Sequence, residues 1–236
     1  VVAVNGLAGG TNFIGGKNTA QISDANPTLI TPAGYVFSIW GVIYLLLGIF
    51  VVFQALPSQQ GKDFQKKVSW LFVASSSLNV GWLFLWQFEQ LGFSIVLMFL
   101  LLASLIMLYM RLKIGKSKTA LSEKLAVHLP FSVYLGWITI ASIANVAVAA
   151  VSVNWDGFGI AAETWAVLVL IIALLTALLV IFTRKDVAYG LVIIWALTGI
   201  SVKQSGNAMI ATLTQICTAI VAISVVFIFL TMLKRK

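Results

Sequence analysis

The chain has 236 residues, 61% of them hydrophobic, with 15 Lys+Arg and 7 Asp+Glu, far short of the roughly one-quarter charged content of an ordinary soluble domain. Long uncharged runs with short polar breaks exclude a soluble globular protein and any separate aqueous domain, because a bilayer-spanning helix needs about 20 largely apolar residues. The lone cysteine, Cys217, lies in an apolar run and excludes a disulfide framework, a cysteine zinc site and a CxxC pair.

In chain order, Val1 to Gly9 reads as the end of an apolar helix rather than a signal peptide, with further residues expected upstream. The Gly10 to Gly34 segment, rich in Gly, Asn, Thr and Pro, is its exit loop. Seven complete spans follow, near Tyr35 to Leu56, Ser69 to Phe88, Phe93 to Met110, Leu125 to Val151, Thr164 to Phe182, Val187 to Val202 and Ala208 to Leu233. The fold class is an all-α polytopic membrane helix bundle.

Alternating the direction of these spans sorts the charges into two faces. One face collects Lys62, Lys66 and Lys67, then Arg111, Lys113, Lys116, Lys118 and Lys124, then Arg184 and Lys185, and finally Lys234, Arg235 and Lys236, with Asp63, Glu123 and Asp186 among them. The other holds only Lys17 and Lys203 beside Asp24, Glu89, Asp156 and Glu163. Such an imbalance marks the basic face, with the C-terminus, as cytoplasmic or stromal, in a prokaryotic plasma membrane or an organelle membrane such as the thylakoid. The pI of about 9.8 therefore reflects helix ends facing anionic lipid, not a nucleic-acid surface.

Few polar side chains lie deep in the spans: Ser75, Ser76, Ser77 and Asn79, and then Thr139, Ser142 and Asn145. The two amides must find partners in hydrocarbon, by joining helices or by lining a ligand cavity, and one arrangement can do both. Trp70 and Trp155 fall near interfaces, while Trp40, Trp82, Trp137 and Trp195 lie further in. Spacing by four puts Trp137, Ala141 and Asn145 on one helical face. That face can pack a helix or hold a flat aromatic ligand. The only histidine, His128, reads as an interfacial polar group and is the one candidate axial ligand for a metal-bearing tetrapyrrole. No carboxylate pair, Ser/His/Asp set or phosphate loop is visible, so the chain reads as a non-enzyme. Ion-coupled transport lacks its usual mid-membrane charge.

Three motifs carry a resemblance. Within TPAGYVFSIWGVIYLLLG, Pro32, Trp40, Tyr44 and Gly48 keep the spacing of Pro-x-Trp-Val-x-Gly-Pro-Val-Trp-x-x-x-Tyr-x-x-x-Gly; Leu78, Asn79 and Trp82 match Leu-Asn-x-x-Trp; Trp137, Ala141 and Asn145 match Trp-x-x-x-Ala-x-x-x-Asn. In these the chain resembles the TspO/MBR family, the tryptophan-rich sensory proteins that include the translocator (peripheral benzodiazepine receptor) protein. The resemblance implies a five-helix bundle over residues 1–155, its first helix seen only from its end. It also implies an interior pocket, covered by the loop after that helix, for a porphyrin, haem or chlorophyll-type tetrapyrrole or a similar planar hydrophobic molecule. The matching ligand residues are Trp40, Tyr44, Asn79, Trp82, Trp137, Ala141 and Asn145.

Gly34, Phe37 and Ser38 stand where the family has Trp, Gly and Pro, and the exit loop has no tryptophan, which weakens any carry-over of porphyrin photodegradation. Val146 and Ala150 replace the Tyr and basic residue of the sterol motif, so cholesterol binding is not supported. Residues 156–236 are expected to add three transmembrane helices, one short, separable from ligand binding. They include Trp195 and the polar Lys203, Gln204 and Gln215, which are expected to meet another helix or a partner. The alternative to a receptor or carrier is an accessory scaffold subunit of a larger membrane complex such as a pigment-bearing photosynthetic one, and the expected protein partners are further copies of the chain or the other subunits of such a complex.

Overall fold

The structure, a computed structural model, describes residues 1–9 and 13–234. Residues 10–12 of the expected exit loop, and Arg235 and Lys236 of the basic face, lie outside the described residues. Among the described residues there are nine helices of seven or more residues and no strand. They are α1 (Val2–Gly9), α2 (Thr19–Ala25), α3 (Ile39–Ala55), α4 (Asp63–Gln87), α5 (Leu91–Arg111), α6 (Leu129–Ser152), α7 (Ala162–Arg184), α8 (Val187–Lys203) and α9 (Ala208–Leu233). Each expected complete span falls on one of α3 to α9, and six of these segments are long and apolar enough to cross a membrane. The exception is α8. Its 17 residues extend about 26 Å against a hydrocarbon core of about 30 Å, and it is buried against α6 and α9 along most of its length.

Local chemistry sets the helix ends. α4 starts six residues before the expected Ser69, because Asp63 sits in its first turn and pairs with Lys67 one turn on. Ser69, with φ 27° and ψ −127°, then breaks the helical path where the apolar run begins. Ahead of α6, Pro130 has no N–H for the Ala126 carbonyl and its ring crowds that oxygen. The chain opens there into a π-turn over Lys124–His128. Asp186 caps α8 by accepting from the Tyr189 N–H at 3.0 Å, and Asn207 caps α9 by accepting from the Ile210 N–H at 3.2 Å.

Neighbouring helices form a continuous series: α4 packs on α5, α5 on α6, α6 on α8, α8 on α9 and α9 on α7, with α3 against α6. In lipid the apolar surface itself gives little drive for this, and close approach through small residues matters more. At Gly136 of α6, an added Cβ would stand 3.1 Å from Val192 Cβ and 3.3 Å from the Tyr189 carbonyl oxygen of α8. Contacts at helix ends agree with the two faces read from the charges. Lys17–Glu89 and Lys203–Asp24 pair on the sparsely basic face. Arg111 over Trp70 at 5.9 Å and Arg184 over Tyr109 at 5.8 Å lie on the other.

Candidate functional site

Trp40, one residue into α3 and 8% exposed, is the centre of an aromatic cage. Tyr44, one turn along the same face, stacks on it with centroids 5.5 Å apart and planes 12° from parallel. Trp82 of α4 stacks at 5.8 Å. From α6, Tyr134 and Trp137 meet it edge-on, each at 6.1 Å. Phe37 in turn meets Trp137 at 5.8 Å, and Trp86 lies 5.6 Å from Trp82. The cage sits in the half of the bundle nearer the sparsely basic face.

Both amides join helices beside these rings. Asn79 Oδ1 accepts from Asn5 Nδ2 at 2.9 Å and from the Tyr44 hydroxyl at 3.4 Å, linking α1, α3 and α4. Asn145 Oδ1 accepts the Trp82 indole N–H at 2.7 Å, and its Nδ2 donates to Ser94 Oγ at 2.9 Å, linking α4, α5 and α6. Ala141, one turn from each, leaves the gap between Trp137 and Asn145, and all three line the same small cavity. Of the other polar residues singled out in these spans, Ser75, Thr139 and Ser142 donate to carbonyls of their own helices and need no ligand.

On its Trp40, Trp82 and Trp137 side the cage encloses about 20 Å³, lined also by Ser23, Pro32 and Phe37. Next to it runs an open cleft of about 1240 Å³, from Asn5 and Gly6 along the α3 face that carries Gly41, Gly48 and Val52, as far as Leu56 and Ala126. Phe37 and Trp40 line both spaces. Among the described residues, Trp137 Nε1 is a buried donor without an acceptor, while Asn79 Nδ2 and the Tyr134 hydroxyl, which make no hydrogen bond of ordinary geometry, lie within interaction reach of each other. All three belong to residues that ring Trp40 or hydrogen-bond its neighbour Tyr44.

The seven residues read from the motifs thus come together, whereas His128 does not join them. It lines neither space. It lies toward the basic face, in the π-turn, with Nε2 3.9 Å from Glu123 Oε1. Among the described residues no group of three His, Cys, Asp or Glu could hold a metal ion.

Sequence reasoning missed Asn5, Ser94, Tyr134 and Trp86. Tyr134 and Trp86 stand three and four residues from Trp137 and Trp82, so helical spacing could have found them. Asn5 is marked as the one amide in an apolar stretch. Ser94 carries no signal of its own.

Of the two alternatives for Lys203 and Gln204, another helix or a partner, the structure shows contacts within the chain. Lys203 pairs with Asp24, and Gln204 Nε2 donates to the Thr28 carbonyl at 2.9 Å, because the exit loop folds over that end of α8. Gln215 alone of the three is exposed, on α9.

A family model described as TSPO-like protein matches residues 1–229, running past the motif-bearing residues into α9. Comparison with the curated proteins and with the solved structures finds no match.

Proposed function

The chain belongs to the TSPO-like protein family, and from that premise we propose that this multi-pass membrane protein binds a tetrapyrrole or similarly planar hydrophobic molecule in the cage around Trp40. The observation that carries this reading is the pairing of ring faces with a spare donor. Four aromatic rings lie within about 6 Å of Trp40, and the buried Trp137 indole N–H, in the wall of the small cavity, lacks an acceptor among the described residues. A flat ring edged with carboxylates or carbonyls answers both, stacking on the aromatics and accepting from a donor whose burial is otherwise costly. Trp137 would hold such a group's acceptor, with Trp40, Tyr44 and Trp82 against its face, and Asn79 behind them orienting Tyr44.

The closed cage has room for about one water molecule. The ligand therefore enters as Phe37 and Trp40, the partition shared with the 1240 Å³ cleft, move aside. The role is binding, as receptor or carrier, with no chemical step assigned to the protein. The positive-inside rule puts the basic face and C-terminus in the cytoplasm or stroma. Titration with protoporphyrin IX in lipid nanodiscs tests the reading: saturable tryptophan quenching supports it, and quenching that rises linearly with lipid-phase concentration rejects it.

The accessory-subunit reading is favoured by one observation, the exposed Gln215 amide. It lies eight residues into α9 from Asn207, with no hydrogen bond to the described chain. An amide in hydrocarbon gains by meeting another helix. If a fixed-stoichiometry partner copurifies, Gln215→Leu should release it.

A further inference from the structure

The segment from Phe13 to Ser38 covers the cage and supplies Ser23, Pro32 and Phe37 to its wall. Its two halves are held differently. The first is fixed to the end of α4: buried Gln87 donates through Nε2 to the carbonyls of Ala8, Ile14 and Lys17 at 3.1, 3.2 and 2.8 Å, and the Trp86 indole donates to the Thr19 carbonyl at 3.2 Å. The second is held by one face of α8. There Trp195 Nε1 donates to the Val36 carbonyl at 3.1 Å, and the Gly199 carbonyl accepts from the Ala33 N–H at 3.1 Å. Lys203 and Gln204 complete the row at Asp24 and Thr28.

Trp195, Gly199 and Lys203 are spaced by four, so a single helical face makes the whole row. Gly199 permits the approach, since a Cβ there would run into Val36 Cγ2. The outer end of the row is its weak end. Lys203 and Asp24 side chains are 22% and 53% exposed, and exposed pairs of this kind hold loosely and weaken with salt. The walls Pro32 and Phe37 belong to this half.

We propose that the end of α8 is a latch on the cage cover, so that Trp195, Lys203 and Gln204 are positioning residues that set how fast a planar ligand enters and leaves. The proposal rests on the reading of the cage as a ligand site, but the holding of the cover does not depend on any ligand. Weakening the latch raises the population of open cover, which speeds association and dissociation together and changes affinity less.

The test is amide hydrogen exchange of the full chain in nanodiscs, with stopped-flow quenching by protoporphyrin IX. In Lys203→Ala/Gln204→Ala, exchange over residues 24–36 should rise about tenfold, given one exposed ion pair and one hydrogen bond lost, while residues 13–19 keep their protection. Gly199→Ala, a wedge against Val36, should act the same way. Lys203→Asp with Asp24→Lys should restore protection. Protoporphyrin association and dissociation should both quicken by about three- to tenfold. Unchanged exchange over 24–36, or a rise shared by all the helices, would overturn the latch. Faster exchange without faster association would overturn its control of entry. Absence of saturable binding by the unaltered protein would reject the ligand reading, and the exchange result would still decide whether α8 holds the cover.

Discussion

Trp82 and Asn145, 63 residues apart in sequence, meet at 2.7 Å as indole donor and amide acceptor, joining α4 to α6. The amide is shared: Asn145 Nδ2 also donates to Ser94, so one side chain joins three helices. Asn145→Ala leaves the buried Trp82 N–H without a partner, at a cost of about 1–3 kcal/mol. Trp82→Phe removes the other half of the pair and should cost less in the Asn145→Ala background than alone. Denaturant unfolding in detergent of the four proteins of this cycle measures the coupling. Additive losses would mean the 2.7 Å contact contributes nothing.

Ligand affinity should follow the aromatic walls. Trp137 is 2% exposed and presents its edge to Trp40 and Phe37. Trp137→Ala should weaken protoporphyrin IX binding about fivefold, the equivalent of about 1 kcal/mol for one lost aromatic contact. Trp70→Ala, an exposed indole under Arg111 on the basic face, should leave the affinity unchanged. Equal effects from both would locate binding outside the cage.

Much of this site is legible in the sequence because amides and evenly spaced tryptophans are conspicuous in an apolar chain. Asn79 and Asn145 stand out as uncharged polar groups that hydrocarbon cannot satisfy, and Trp137, Ala141 and Asn145 declare one face by their spacing. The contacts of α8 are less visible. Lys203 and Gln204 sit where a helix leaves the membrane, a position where polar residues ordinarily face water, and the loop residues they bind lie more than 170 positions away. Asp186 misleads in the same way. It reads as one more charge on the basic face, yet it is 7% exposed and accepts hydrogen bonds from Tyr109, Ser132 and the Tyr189 N–H.

That buried carboxylate is expected to be a principal structural tie on the basic face. Its Oδ2 accepts from the Tyr109 hydroxyl at 2.7 Å and from Ser132, joining α5 and α6, while Oδ1 caps α8. Asp186→Ala removes the cap and strands two buried hydroxyls, for a loss of about 3 kcal/mol. Asp186→Asn keeps an acceptor and a good N-cap residue and should lose markedly less. Thermal unfolding of the two variants separates the roles; equal midpoints would show that the hydrogen bonds do not matter.

Topology follows from the same two faces. In a Cys217→Ser background, Lys116→Cys and Asp156→Cys are both exposed positions, placed on opposite sides by the path of α5 and α6. A membrane-impermeant maleimide added to sealed vesicles should label one and spare the other. Labelling of both from one side would break the assignment of every later helix.

A chain ending near Gly157 tests whether the last three helices can be separated from binding. All seven motif residues would remain, and lipid would replace α8 against α6 with little hydrophobic penalty, because tails are as apolar as the helix they displace. Several interactions with the retained helices would be lost. Asp186 no longer accepts from the Tyr109 and Ser132 hydroxyls, Tyr189 no longer donates its hydroxyl to Thr139 at 3.1 Å, and Gly136 no longer meets the α8 backbone in close packing. The hydrogen bonds from Trp195, Gly199 and Gln204 to the cover would go as well. The helices should therefore persist by circular dichroism while Phe37 and Pro32 lose their support, so that protoporphyrin binds and leaves faster and more weakly than in the full chain. Unchanged affinity and unchanged rates in the shortened chain would show that the cover is held by α4 alone.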